Sequence, residues 1–170
     1  MKAKKIFNDY IIPILVAIIL AVLIRQFLFF KIMVPTASMY PTIKDNDQII
    51  VTRIYSKNSL KRGDIVVFKS KELNEELIKR LIGLPNDTVK VDDGGEVYVN
   101  GKKIDQPYVM NSGGKSGTFK VPEGHYFFLG DNRNNSLDSR YWQNSYIDWS
   151  DIEGKARFII YPFNRFGDLK

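Results

Sequence analysis

Two side chains in this 170-residue sequence could together carry out nucleophilic catalysis. Ser38 lies in the proline-framed stretch Pro35-Thr36-Ala37-Ser38-Met39-Tyr40-Pro41-Thr42, and Lys79 is embedded in the apolar run Leu77-Ile78-Lys79-Arg80-Leu81-Ile82-Gly83. A serine hydroxyl is a poor nucleophile until a neighbouring base takes its proton. Lysine can be that base only where burial disfavours its charged form and brings its pKa down. A serine and a buried lysine are thus the two parts of a serine–lysine hydrolase. Taken alone, Ser38 reads as an ordinary loop serine. The flanking prolines change that reading, because Pro35 and Pro41 each hold the preceding residue in an extended conformation. Such a loop is stiff, cannot continue a helix, and can present both a hydroxyl and its own backbone N–H.

The segment in front of this loop sets where the chemistry takes place. Residues 11–24 are uninterrupted apolar sequence, and 26–30 extend the run past Arg25. As a helix, 11–30 would measure ~30 Å, about the thickness of a hydrocarbon core. Arg25 sits near the far end, where its side chain can reach the head groups, and Pro13 falls in the first turn, where its missing N–H matters least. Phe27, Phe29 and Phe30 read as the outer end of the span. Lys2, Lys4 and Lys5 precede it, which places the amino terminus in the cytosol and everything after Lys31 outside. A cleavable signal peptide shares the basic start and apolar middle. This run is long for such a peptide and no Ala-x-Ala site closes it, so a retained single-pass anchor is the expectation. Ser38 then acts beside a membrane, on a substrate presented there.

Behind the loop the pattern is mostly short strands. Residues 48–55 are rich in β-branched side chains, and 64–68 form a short apolar run after Arg62-Gly63. Val97-Tyr98-Val99, Asn100-Gly101 and Lys102-Lys103-Ile104 predict a hairpin, since Asn-Gly supplies the positive φ angles of a type I′ turn. Residues 126–129 and 156–161 read as buried strands, and Ser112-Gly113-Gly114-Lys115-Ser116-Gly117 as a flexible loop. Residues 72–82 are ambiguous. Leu73, Leu77, Ile78 and Leu81 recur at helical spacing, whereas a strand would put Lys79 on one face with Leu77 and Leu81, the setting a neutral lysine requires.

Composition narrows the function. Hydrophobic residues make up 44% and charged residues 26%, which describes an ordinary folded chain with room for one domain. With no cysteine, neither a disulfide framework nor a Cys-rich zinc site is available. The net charge of +6 comes from scattered lysines and arginines with no nucleic-acid motif among them, so it reads as a basic solvated surface.

Four blocks, in order behind the anchor, resemble the type I signal peptidases. They are the Ser38 stretch; Arg62-Gly63-Asp64-Ile65-Val66-Val67-Phe68; Lys79-Arg80-Leu81-Ile82-Gly83-Leu84-Pro85-Asn86-Asp87; and Gly130-Asp131-Asn132-Arg133-Asn134-Asn135-Ser136-Leu137-Asp138-Ser139-Arg140. The resemblance implies a mostly β fold, with a compact antiparallel catalytic domain (31–170) tethered by one transmembrane helix (10–30) behind a cytosolic basic tail (1–9). It favours a strand for 77–82. It implies a plasma-membrane endopeptidase that removes signal peptides from exported preproteins after small, Ala-x-Ala-like residues, through an acyl-enzyme. Ser38 would be the nucleophile and Lys79 the general base. Thr36 and the Ser38 N–H would form the oxyanion hole, Ser136 would orient Lys79, and Asp138 and Arg140 would pair to shape the loop near the site. No metal or organic cofactor is implied. The partners would be secretory preproteins, membrane phospholipids and the export machinery, with no nucleic acid.

Rival readings are a non-catalytic pilus-assembly relative and a self-cleaving repressor. The first has lost the serine or the lysine; the second is cytosolic with a DNA-binding head, where this chain has an anchor. His125, the only histidine, starts an apolar strand and is expected to be a bystander. Asp45-Asn46-Asp47 and Asp92-Asp93-Gly94-Gly95-Glu96 lack the full calcium-loop pattern and read as solvated turns. Asn86 stands where the family usually has glycine, and asparagine tolerates a positive φ better than most residues.

Overall fold

The computed structural model describes residues 7–169, so the basic tail of Lys2, Lys4 and Lys5 lies outside the described residues. A π-helical turn, Phe7–Ile11, leads into α1 (Ile12–Phe27). Together they give a 21-residue helix of mean hydropathy 2.4 with none of its apolar window buried in the protein. Apolar side chains around its whole circumference fit a helix immersed in hydrocarbon. The helix stops at Phe27, short of the expected residue 30. Phe29 and Phe30 are not the outer end of the span; they begin β1 (Phe29–Met33), whose backbone pairs with β2 (Gln48–Arg53) from Phe29↔Thr52 to Met33↔Gln48. The last carbonyls of a helix need outside donors. Here Arg53 Nε donates to the Gln26 carbonyl at 2.8 Å, the Arg53 N–H to that of Leu28 at 2.9 Å, and the Tyr55 hydroxyl to that of Phe27. Anchor and sheet are joined by these bonds.

The strands follow as β3 (Ile65–Ser70), β4 (Glu75–Gly83), β5 (Thr88–Val91), β6 (Val97–Val99), β7 (Lys102–Lys103) and β8 (Gly117–Lys120). The chain then adds β9 (His125–Leu129), β10 (Ile147–Asp148), β11 (Ile152–Tyr161) and β12 (Gly167–Asp168). They form two antiparallel sheets. The larger has the order β1-β2-β11-β3-β4-β9-β10, with β12 also on β11; the smaller has the order β7-β6-β5-β8. The mostly β expectation is met, and residues 72–82 are not a helix, since β4 pairs with β3 on one side and β9 on the other. Tertiary pairing overrides the helical spacing of Leu73, Leu77, Ile78 and Leu81. The hairpin at Asn100-Gly101 has the expected positive φ angles, 51° and 80°, and Asn86 takes φ 70°.

Three apolar clusters fill the fold. One joins Val34, Met39 and Ile43 to Ile49, Val51, Val67 and Ile78 beneath the Ser38 loop. A second, with Val66, Phe68, Leu81, Phe128 and Trp142, takes in Leu77 at its margin. The third packs Val89, Val91, Val97 and Val99 of the small sheet on Ile82, Phe127 and Leu129 of the large one. Gly83 sits at that junction, where a Cβ would meet Val121, Val89 and Phe127 at 2.8–2.9 Å. Two expected loops are more tightly held than composition implies. The Ser112–Gly117 loop is tied down by Arg140 Nη1 on the Gly113 carbonyl (2.8 Å) and by its Lys115 N–H on the Tyr141 hydroxyl (2.9 Å). Asp47 is not solvated but 1% exposed, and it forms an ion pair with Arg165 at 2.9 Å.

Candidate active site

Ser38 occupies a single 3-10 turn, Ala37–Met39, that follows β1 through Pro35. Met39 is fully buried in the first cluster and anchors the turn from below. Lys79 stands in the middle of β4, opposite Val66 of β3. Leu77 and Leu81, its neighbours on the same face of the pleat, both pack in the second cluster. The amine emerges from this apolar setting to meet the hydroxyl: Lys79 Nζ is 2.6 Å from Ser38 Oγ, with Lys79 4% and Ser38 6% exposed. Burial pulls the Lys79 pKa down from 10.5 to about 8, against an opposing pull from the Asp138 and Asp131 carboxylates. A group poised there is neutral often enough near physiological pH to accept a proton. Thr36 Oγ1 lies 3.4 Å from Ser38 Oγ, on the approach to the turn.

The Gly130–Arg140 block forms the wall behind the pair. Its Asn132 N–H donates to the Ser38 carbonyl at 3.1 Å. A Cβ on Gly130 would overlap Ser136 Oγ and the Ser38 carbonyl oxygen, so only glycine lets the block come this close. Asp138 and Arg140, both fully buried, form a two-pronged pair at 2.8 and 2.9 Å, and Asp138 Oδ2 also accepts from the Gly130 N–H at 3.0 Å. The pair braces the wall through Gly130. Ser136 departs from expectation: its hydroxyl is buried but has no hydrogen-bond partner among the described residues, and so none with Lys79. Ser136 packs closely against Gly130.

A second buried ion pair was not singled out in the sequence. Arg80, on the face of β4 opposite Lys79, grips Asp131 through Nε (2.8 Å) and Nη2 (2.7 Å) and stacks on Tyr108 with 3.8 Å to the ring centroid. Thr42 Oγ1 donates to the same carboxylate at 2.6 Å. These contacts clamp β4, the Ser38 loop and the Gly130 block together. Asp131 and Asn132 stand in the fourth block, but neither their type nor their spacing separates them from turn residues, so the sequence carried no signal for the roles they take.

His125 lies away from this cluster. Its Nδ1 is 3.0 Å from the Glu123 carbonyl and its Nε2 is 3.9 Å from its cross-strand partner Asp148 on β10. Asp92 caps its own turn, accepting from the Gly94 and Glu96 N–H groups at 3.0 and 2.8 Å. Among the described residues, no three His, Asp or Glu side chains are grouped as metal ligands would be.

The backbone around the pair has open edges. β3 covers β4 from Glu75 to Arg80, whereas β9 pairs with β4 only from Arg80 onward. Glu75 to Ile78 thus have no strand on their second side among the described residues. β1, which feeds the Ser38 loop, is the outer strand of its sheet. Both edges lead to the serine and the lysine.

Known proteins with similar sequences share one theme. Residues 7–161 match the family described as signal peptidase, peptidase S26. The chain is 40% identical to a signal peptidase I of Bacillus licheniformis, covering 95% of this chain and 92% of that protein. It is 38% identical to signal peptidase I T of Bacillus subtilis, covering 99% and 94%. A signal peptidase I of Leptolyngbya laminosa is 40% identical over 99% of this chain and 86% of its own length. Among solved structures, a signal peptidase I from Enterococcus faecalis is 33% identical, with a TM-score of 0.51 over 56% of this chain and 95% of that one.

Proposed function

The chain belongs to the signal peptidase family, peptidase S26, and on that premise we propose that Ser38 is the nucleophile and Lys79 the general base of its reaction. It is a serine endopeptidase of the signal peptidase I type, and it removes signal peptides from exported preproteins. The observation that carries the catalytic reading is the 2.6 Å contact between a buried lysine amine and the serine hydroxyl. Ser38 Oγ attacks the scissile carbonyl carbon while Lys79 Nζ takes its proton. The carbonyl oxygen becomes an oxyanion, held by the Ser38 N–H and the Thr36 hydroxyl. Lys79 then passes the proton to the leaving amine, and water hydrolyses the acyl-enzyme with Lys79 as base once more. The role of Ser136 in orienting Lys79 belongs to the same proposal; it requires the buried hydroxyl to acquire a bond that this conformation lacks.

The substrate lies extended between the open edges of β1 and β4, adding a strand through main-chain hydrogen bonds. The floor between them is the packed cluster of Val34, Met39, Ile43 and Ile78. A side chain entering here meets filled apolar core, which suits alanine-sized groups before the cut. The anchor holds this domain at the plasma membrane, with its amino terminus cytosolic and the catalytic domain outside. The outer face of β1, β2 and β11 supports contact with phospholipid. It exposes Phe29, Met33, Phe158 and Tyr161, continues into Phe163 and Phe166, and adjoins α1. The test is to incubate the purified chain with a preprotein and sequence the new amino terminus. A cut after an Ala-x-Ala-like triplet, absent with Ser38→Ala, is expected; undiminished cutting by that variant would refute the assignment.

A further inference from the structure

An oxyanion donor works only if it is aimed, and the aim of the Ser38 N–H is set by the peptide plane it shares with the Ala37 carbonyl. That unit is planar and trans, so its C=O and N–H point in opposite directions. Whatever pins the carbonyl therefore fixes the N–H. Asn132 does this from 95 positions along the chain: its Nδ2 donates to the Ala37 carbonyl at 3.1 Å. Its main-chain N–H donates to the next carbonyl, that of Ser38, also at 3.1 Å. One residue thus grips two successive carbonyls of the nucleophile turn, and the Tyr40 N–H shares the first of them at 3.1 Å.

The side-chain amide has only one workable orientation. The Ala37 carbonyl can only accept, so the nitrogen must face it, leaving Oδ1 to accept from Asn111 Nδ2 at 3.0 Å. Asn111 adopts a left-handed backbone, φ 52°, and is held in place by its neighbour. The Met110 N–H donates to the Asp131 carbonyl at 3.1 Å, and the Met110 carbonyl accepts from the Arg133 N–H at 3.2 Å. Asn132 itself is 5% exposed, so a lost bond would not be replaced by bulk water.

We propose that Asn132, oriented by Asn111, is a positioning residue that aims the oxyanion-hole N–H of Ser38. The inference rests on the reading of Ser38 as nucleophile with its N–H as an oxyanion donor. A misdirected donor weakens only the charge that develops in the transition state, so kcat should fall while substrate binding persists.

The experiment uses the full chain in detergent with a signal-peptide substrate, an acylating inhibitor to count reactive Ser38, and the variants Asn132→Leu, Asn111→Ala, their double and Ser38→Ala. For Asn132→Leu, kcat per titrated site should drop about 10–100-fold, with KM within about twofold and the acidic limb of the pH profile unmoved. Asn111→Ala should show a smaller fall of the same kind. The double variant should be no worse than Asn132→Leu, because both act through one hydrogen-bond chain. A purely structural residue would instead lower the titrated fraction and leave kcat per site intact, which would overturn the proposal; additive losses in the double variant would overturn the relay. If Asn132→Leu fails to fold, Asn111→Ala, which trims an exposed side chain, carries the test, and wild-type kcat there would count against it. Ser38→Ala separates the two levels. Full cleavage by it sinks the nucleophile reading, whereas an inactive Ser38→Ala beside a fully active Asn132→Leu sinks only the positioning role.

Discussion

A lysine whose charged form is disfavoured by burial is destabilising when protonated, and this gives Lys79 a signature separate from catalysis. Its folded pKa of about 8 lies below the unfolded value of ~10.4. Between these values the unfolded chain binds a proton that the native chain does not, so stability rises with pH across that window. Below about pH 8 both states are protonated and the burial penalty is fully present. Lys79→Met removes the titration, and its melting temperature should exceed that of wild type at pH 7, by an amount worth on the order of 3 kcal/mol. The advantage should shrink as pH climbs from about 8 to ~10.4; a gap independent of pH would mean the lysine is not buried as described. At Thr36, 3.4 Å from Ser38 Oγ, Thr36→Val should lower kcat by about a hundredfold or more with little change in KM, and Thr36→Ser should retain most activity. Equal behaviour of the two variants would make Thr36 only a turn residue. Ser38 and Lys79 were legible in sequence because an amine among aliphatics and a serine between prolines are locally odd. Asp131, Asn132 and the missing partner of Ser136 were not, since turn-type residues acquire meaning only from distant packing.

At the scale of elements, β4 does most of the positioning. Periodicity alone leans 72–82 toward a helix, and only the family resemblance makes 77–82 a strand; the strand rests on pairing with β3 and β9, a non-local fact that periodicity does not record. The same pairing leaves Glu75 to Ile78 open on one side. If substrate adds a strand there, alternate main-chain N–H groups of the signal peptide face that edge and the others face away. N-methylation of a peptide substrate at successive positions before the cut should therefore lower kcat/KM in alternation, by about tenfold or more at the bonding positions. A flat response along the peptide would argue against strand addition. The exit of α1 is equally non-local: Arg53, at the far end of β2, and Tyr55, just beyond it, cap its last carbonyls. This is why hydropathy alone overran the helix into Phe29 and Phe30.

For the whole molecule, that junction decides where the anchor can be removed. Phe30 packs against the first cluster, and Arg53 lies over its ring at 4.7 Å. A chain beginning at Phe29 should fold and cleave, weakly in plain buffer and better with detergent or lipid. One beginning at Lys31 loses two residues of β1 and should melt several degrees lower. Equal melting temperatures would show that β1 does not depend on them. The mostly β architecture and the single anchor were readable from alternation and hydropathy, whereas the sheet order, with β11 between β2 and β3, was not, because strand order leaves no local trace. The central claim, that Lys79 is the base for Ser38, is tested most directly by a pH–rate series on the intact chain in lipid, with wild type beside Lys79→Arg. Wild-type kcat/KM should rise through an apparent pKa of about 8 as the amine loses its proton. Lys79→Arg should be inactive at every pH, since a guanidinium keeps its proton in a protein. Substantial cleavage by the arginine variant, or a wild-type profile flat through that region, would contradict the account.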